Sequence, residues 1–324
     1  MTVVVFGIDA LDPDLVDPDQ HPNLTLETHD RIETINSSAG EPSTHELWPT
    51  IITGLSPEEH GLKLDDGVAW ENPVLNFGST VADYFLPKSL QTRIGGWLLT
   101  NTETDAFRTN VTYYEKNELS TVFDGYESKA IGIPNYVVNP NEEDREHQLR
   151  RQMGDLFARD GDAMGGHTSS DPDQFYELCM EMSMIRLARI RRALRSRQHE
   201  LVFGYTSGLD LIGHVSYDRP ALQGRAYEEL DEFVGELVSD LDESNELVLV
   251  SDHGLQDGLH TEEAMVAATK PAMIEKISSV LDVCEAIEFE LDHTDHTPTP
   301  PSDQRTKLGD SDKVREQLED LGYL

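Results

Sequence analysis

Six side chains carry the metal-type chemistry in this sequence: Asp9, Asp210, His214, Asp252, His253 and His260. Three carboxylates and three imidazoles suffice for two divalent cations. An all-oxygen set would suit Mg or Ca, whereas this mixture suits Zn, with Mn or Fe behind it. Asp210 and His214 are spaced i, i+4, so on a helical turn both point the same way and can grip one ion. Asp252 and His253 are adjacent, and His260 follows seven residues later in GLHT. Singly, each has a plainer role. Asp9 alone reads as a helix cap, Asp210 to His214 as a surface turn, and SDHG (251–254) as a polar turn with Gly in a left-handed position. What argues for one site is where they fall.

Each group lies just past a short apolar, β-branched run: Thr2 to Ile8 (TVVVFGI), Glu200 to Thr206 (ELVFGYT) and Glu246 to Val250 (ELVLV). Such runs read as buried strands. Arg93 to Leu99 and Ala130 to Val138 are weaker strand candidates. Phe175, Leu178, Met182, Ile185 and Leu194 line one face of a helix predicted over 173–197. Leu222, Ala226, Leu230, Phe233 and Leu237 do so over 219–241. Apolar strands alternating with amphipathic helices predict an α/β fold, a mainly parallel central sheet with helices on both faces. Its carboxyl edge, where ligands of open α/β sheets sit, would gather all six residues.

The expected organisation is a catalytic domain over 1–292, a Pro/Thr-rich linker over 293–307 and a short helix over 308–324. Val314, Leu318 and Leu321 would dock that helix on the core. The polar stretch 139–172 reads as a solvated excursion rather than a cover over the site. His293 and His296 fall in the linker and read as solvated. His21, His29, His147, His167 and His199 have no partner evident from sequence.

A nucleophile must come from elsewhere. In STHELWPTIITG (43–54), Ser43 or Thr44 could cap the helix that begins there. A helix N-terminus also binds phosphate oxygens through its free N–H groups. A hydroxyl there, with its pKa lowered by a metal, becomes an alkoxide near neutral pH.

Four blocks, GIDALD (7–12), STHELWPTIITGLSPEEHG (43–61), GLDLIGH (208–214) and SDHG with the later HT (251–261), resemble the alkaline phosphatase superfamily. Within it they look like the type I phosphodiesterase/nucleotide pyrophosphatase branch. The resemblance implies an alkaline-phosphatase-like core and a two-metal phosphoric ester hydrolase working through a phospho-Thr intermediate on a small-molecule ester. It places Asp9, Asp252 and His253 with the nucleophile on one metal, and Asp210, His214 and His260 on the other, with His293 or His296 in reserve for His260. In relatives the nucleophile stands nine residues before the Thr of a Thr-Gly pair and four before a Trp. Thr53 and Trp48 thereby point to Thr44, with Ser43 as the fallback. Glu46 departs from the family pattern, which commonly has Pro there, and a carboxylate at that point would disfavour dianionic monoesters. A sulfatase is disfavoured, since neither Cys179 nor Cys284 lies in a formylglycine-type motif and position 48 is Trp rather than Arg. A metal-dependent phosphomutase would need a larger inserted domain than 139–172 offers. A non-catalytic binding module would be marked by a missing ligand, and none is missing.

The 324 residues carry 62 Asp+Glu against 25 Lys+Arg, a formal net charge of −37. Such a surface repels duplex nucleic acid and anionic membranes. With only 8 Lys beside 17 Arg, it reads as the signature of a salt-loving organism, its carboxylates screened by molar salt. No apolar run reaches the ~18 residues of a membrane span. The N-terminus lacks a signal-peptide pattern, and two cysteines are too few for a disulfide framework. These features predict a cytoplasmic protein.

Overall fold

The computed structural model describes residues 1–37, 40–63, 109–139, 146–160 and 163–293. The three apolar runs form adjacent strands because each is hydrophobic on both faces and needs cover on both sides. β1 (Val3–Ile8) is flanked by β6 (Leu201–Thr206) and β7 (Glu246–Val250), both parallel to it. The sheet is completed by β2 (Thr28–Glu33), β3 (Ser128–Ile131) and β10 (Glu263–Ala268), in the order β2-β10-β7-β1-β6-β3. Among the described strands only β10 runs against its neighbours, so the sheet is mixed but mainly parallel.

Side chains alternate across the sheet and build two cores. Val4, Phe6 and Ile8 pack with Val202, Leu247 and Leu249 under the long helices α3 (Pro172–Ser196) and α5 (Pro220–Val238). Val3 and Val5 pack with Phe203, Val248 and Val250 under α1 (Thr44–Thr53) and α6 (Val283–His293). Trp48 of α1 lies over Gly7, where an added Cβ would come within 2.4 Å of the indole. Glycine at that point lets α1 settle onto β1 and brings its first turn to the strand's end.

The stretch read as a solvated excursion is exposed or half-buried along most of its described part, but it is folded. α2 (His147–Leu156) is followed by the hairpin of β4 (Phe157–Arg159) and β5 (His167–Ser169). Glu146 anchors it: the carboxylate is 1% exposed and pairs with Arg150, Arg186 and Arg189. Glu146 is an exception to that exposure, a charge buried in compensated form. Strand β3 also ends earlier than Ala130 to Val138 suggested, at a left-handed Gly132 (φ +71°). His293 closes α6 rather than opening a linker, its ring stacked on Phe289 at 3.9 Å. The strand candidate 93–99, the remainder of the linker with His296, and the terminal helix lie outside the described residues.

Candidate two-metal active site

Asp9 is the residue after β1, Asp252 and His253 follow β7, and Asp210 lies in the first turn of α4 (Gly208–Val215), which opens just after β6. Because β7, β1 and β6 are neighbours, their carboxyl ends bring these side chains to one point on the sheet edge. The helix of α4 then carries His214 one turn beyond Asp210, as the i, i+4 spacing requires. His260 arrives on β9 (Leu259–Thr261), paired with β8 (Gly254–Gln256) through Asp257 and Gly258, both at positive φ. Asp-Gly is the two-residue hairpin turn that tolerates this backbone.

The six residues form two groups able to hold metal ions, Asp9 with Asp252 and His253, and Asp210 with His214 and His260. Within the first, His253 Nε2 is 3.3 Å from Asp9 Oδ1 and 3.4 Å from Asp252 Oδ2. Within the second, His214 Nε2 and His260 Nε2 are 3.2 and 3.4 Å from Asp210 Oδ1 and 3.0 Å from each other. The groups adjoin, since the rings of His253 and His260 stack at 4.0 Å.

The tautomers fit metal binding. His253 Nδ1 donates to Gly254 O, His214 Nδ1 to Gly258 O and His260 Nδ1 to Pro42 O, at 3.1, 3.1 and 2.8 Å. A carbonyl oxygen only accepts, so each neutral ring keeps its bare Nε2 for an ion. Bare nitrogens facing each other at 3.0 Å repel unless a cation or proton lies between them. With the rings neutral, both Asp252 carboxylate oxygens and Asp210 Oδ1 are buried without a hydrogen-bond donor among the described residues. Such orphaned oxygens are costly, and a divalent ion would satisfy them. The donor set therefore fits two metals.

The charges say the same. Burial, then the neighbouring Asp252 and Asp210, pushes Asp9 well above the carboxylate range. Burial, helped by Asp210, lifts Asp252 to about 7. Asp210 resists burial because His214 and His260 hold it well down. Against burial, Asp210 in turn lifts His260 to about 9. Without cations, this cluster is stabilised by holding protons.

Thr44, the first residue of α1, directs its hydroxyl at the first group: Oγ1 is 3.3 Å from both Asp9 Oδ1 and His253 Nε2. Ser43 occupies the N-cap position but makes no side-chain cap bond. Pro49 inside α1 cannot donate to the carbonyl of His45, and Asn135 Nδ2 does so instead at 2.9 Å. Three residues near the site were not assigned to it from the sequence, His167 among them having no partner evident there. Tyr205 donates to Asp9 Oδ2 at 2.5 Å. His167 packs edge-on against His214 at 5.1 Å, so the β4–β5 hairpin reaches the second group. His45 beside Thr44 is pushed down to about 4 by burial, against the pull of Asp210. A tyrosine next to the end of a site-bearing strand was the available signal for the first; the others had none.

Fold and site together define an α/β protein with two adjoining candidate metal groups at the sheet's carboxyl edge. The chain belongs to the type I phosphodiesterase / nucleotide pyrophosphatase family, matched over residues 3–278. This is a family of metal-dependent phosphoesterases. No curated protein matches the sequence. Among solved structures, a protein from Pyrococcus horikoshii is 11% identical, covering 91% of this chain and 98% of its own, with TM-score 0.44. Murine ectonucleotide pyrophosphatase / phosphodiesterase 5 is 16% identical over 78% of this chain and 57% of its own, with TM-score 0.41. A TAB5 alkaline phosphatase mutant is 12% identical over 90% and 97%, with TM-score 0.42. The family assignment rests on the sequence match and not on these. Among the described residues, no helix is long and apolar enough to cross a membrane.

Proposed function

We propose that the protein hydrolyses phosphoric esters, phosphodiesters or pyrophosphate-linked nucleotides in particular, through a covalent phospho-Thr44 intermediate. The observation that carries this reading is the Thr44 hydroxyl, held in the first turn of α1 between Asp9 and His253, with the second group stacked alongside. Asp9, Asp252 and His253 with Thr44 would hold one divalent cation, Zn or Mn, and Asp210, His214 and His260 the other. Bound there, the cations supply Lewis acidity that lowers the pKa of a hydroxyl or a water and offsets charge on the phosphoryl oxygens. Thr44 Oγ1 gives up its proton to water and forms the bond to phosphorus while the ester P–O bond breaks, and the departing alkoxide takes a proton from water to leave as the alcohol. Free N–H groups at the start of α1 would receive the phosphoryl oxygens. Water then cleaves the phospho-Thr and restores the hydroxyl. Burial makes Asp9 and Asp252 hold protons when no cation is near, and a dication in the first group would displace those protons and take their place.

Turnover of bis-nitrophenyl phosphate, nitrophenyl phosphate and nitrophenyl sulfate with added Zn or Mn in one high-salt buffer tests this. Diester turnover is expected to exceed monoester turnover, with sulfate last. Thr44→Ala should lose about 10³-fold or more in kcat while still binding metal, and Thr44→Ser should keep part of the activity. A fully active Thr44→Ala beside a dead Ser43→Ala would shift the nucleophile by one residue. Full activity in both variants would overturn the covalent mechanism.

A further inference from the structure

Tyr205 has no part in the chemistry just proposed, yet its side chain is buried and held from more than one side. β1 and β6 pair with Gly7 opposite Tyr205. Asp9, two residues past Gly7, therefore lies on the same side of the sheet as the phenol. The absent side chain at Gly7 leaves room for Trp48, whose ring meets Tyr205 edge-on at 4.9 Å. On another side the Arg186 guanidinium stands 5.4 Å from the Tyr205 ring, and its Nη1 donates to Tyr205 O at 3.1 Å. Arg186 is fixed by buried Glu146, which accepts from its Nε and Nη2 at 3.2 and 3.0 Å. Between these neighbours the ring points its hydroxyl at Asp9 Oδ2.

The two oxygens of Asp9 are thereby divided. Oδ2 accepts from Tyr205, while Oδ1 faces Thr44 Oγ1 and His253 Nε2. From this division we infer that Tyr205 is a positioning residue that makes Asp9 a one-oxygen ligand, fixing Oδ1 toward the cation and the nucleophile. The inference rests on the two-metal reading of the site. Without the phenol, Oδ2 would be an unpartnered buried oxygen, free to swing toward the ion and chelate it, and Oδ1 would lose its fixed distance to Thr44. Outer partners of this kind commonly set metal affinity by 10–100-fold. They also set coordination number, which the spectrum of a bound ion reports.

Tyr205→Phe removes one oxygen atom and leaves the ring in its clamp. The test titrates wild type, Tyr205→Phe and Asp9→Asn, first stripped of metal, with Mn²⁺ by calorimetry and with Co²⁺ by visible absorption, with melting curves as a fold control. The expected result is about 10–100-fold weaker binding at one of two sites in Tyr205→Phe. Affinity at the other site should be unchanged, the Co²⁺ bands of the weakened site shifted, and the melting temperature within a few degrees of wild type. Two sites of wild-type affinity with an unchanged Co²⁺ spectrum in Tyr205→Phe, while Asp9→Asn loses a site, would overturn the positioning role and leave the metal reading standing. A wild type that binds neither ion would overturn both.

Discussion

At the scale of single residues, the site depends on a backbone turn immediately after Asp9. Ala10 has φ +58° and is 1% exposed, a conformation that costs an L-residue roughly 1–2 kcal/mol. The carbonyl of Ala10 accepts from Tyr227 Oη at 3.2 Å, which also takes the N–H of Asp12 at 3.0 Å, so the turn is held from outside. Ala10→Gly should therefore be tolerated, with stability within about 1 kcal/mol of wild type, because relief of the turn offsets glycine's entropy. Ala10→Val should lose about 2 kcal/mol or more, since a β-branched residue is a poor fit to positive φ in a buried site. Melting curves of both variants check this, and equal stability of the two would remove the strain argument. The six ligand candidates were legible in the sequence because strand ends and an i, i+4 pair are local signals. Tyr205 was not, because its meaning lies in the β1–β6 register, which sets it opposite Gly7. His167 was hidden in a stretch without periodicity.

At the scale of elements, the sequence pattern located what is buried and periodic. The helix predicted over 173–197 is observed at Pro172–Ser196, and the one over 219–241 at Pro220–Val238. β2 and β10 went unread. β2 (THDRIE) buries only Ile32 and lies at the sheet edge, so its polarity gives no strand pattern. EAMVAA in β10 is too short and alanine-rich to be told from helix by periodicity. Elements also meet at the opposite end of β7, where the Glu246 side chain is fully buried beside Lys270 and near Glu290. Burial, then Glu290, lifts Glu246 to about 7 in spite of Lys270. The folded protein thus holds a proton that the unfolded chain releases near 4.5. Stability from this group is full below about pH 4.5 and is lost as pH rises through 7. Glu246→Gln imitates the protonated form and should raise stability at pH 8 by about 1–3 kcal/mol, with little change at pH 5. Thermal melts at both pH values decide it. A variant less stable at pH 8 would mean that the bond to Lys270 outweighs the burial.

At the scale of the whole molecule, charge is unevenly distributed. Six of the 17 arginines fall between 186 and 197, on or just after α3. From there Arg186 and Arg189 reach Glu146, Arg191 and Arg195 reach Asp240, and Arg197 reaches Asp242. With 62 carboxylates in the chain, most of the acidic surface must rely on solvent cations. Two opposing salt effects follow. Raising KCl to about 1 M shortens the screening length to ~3 Å and removes most of the repulsion between exposed carboxylates. It also weakens exposed arginine pairs, but each of those contributes only ~0–1 kcal/mol. The shielded bonds of Glu146 should change little. Repulsion summed over a net charge of −37 should therefore dominate, and the melting temperature should rise by about 5 °C or more between 0.1 and 2 M KCl. Choline chloride separates the causes: screening alone predicts a similar rise, whereas specific binding of K⁺ by carboxylates predicts a smaller one. A flat or falling melting temperature in KCl would mean that the arginine pairs along α3 outweigh carboxylate repulsion, and the salt-loving reading of the composition would fall.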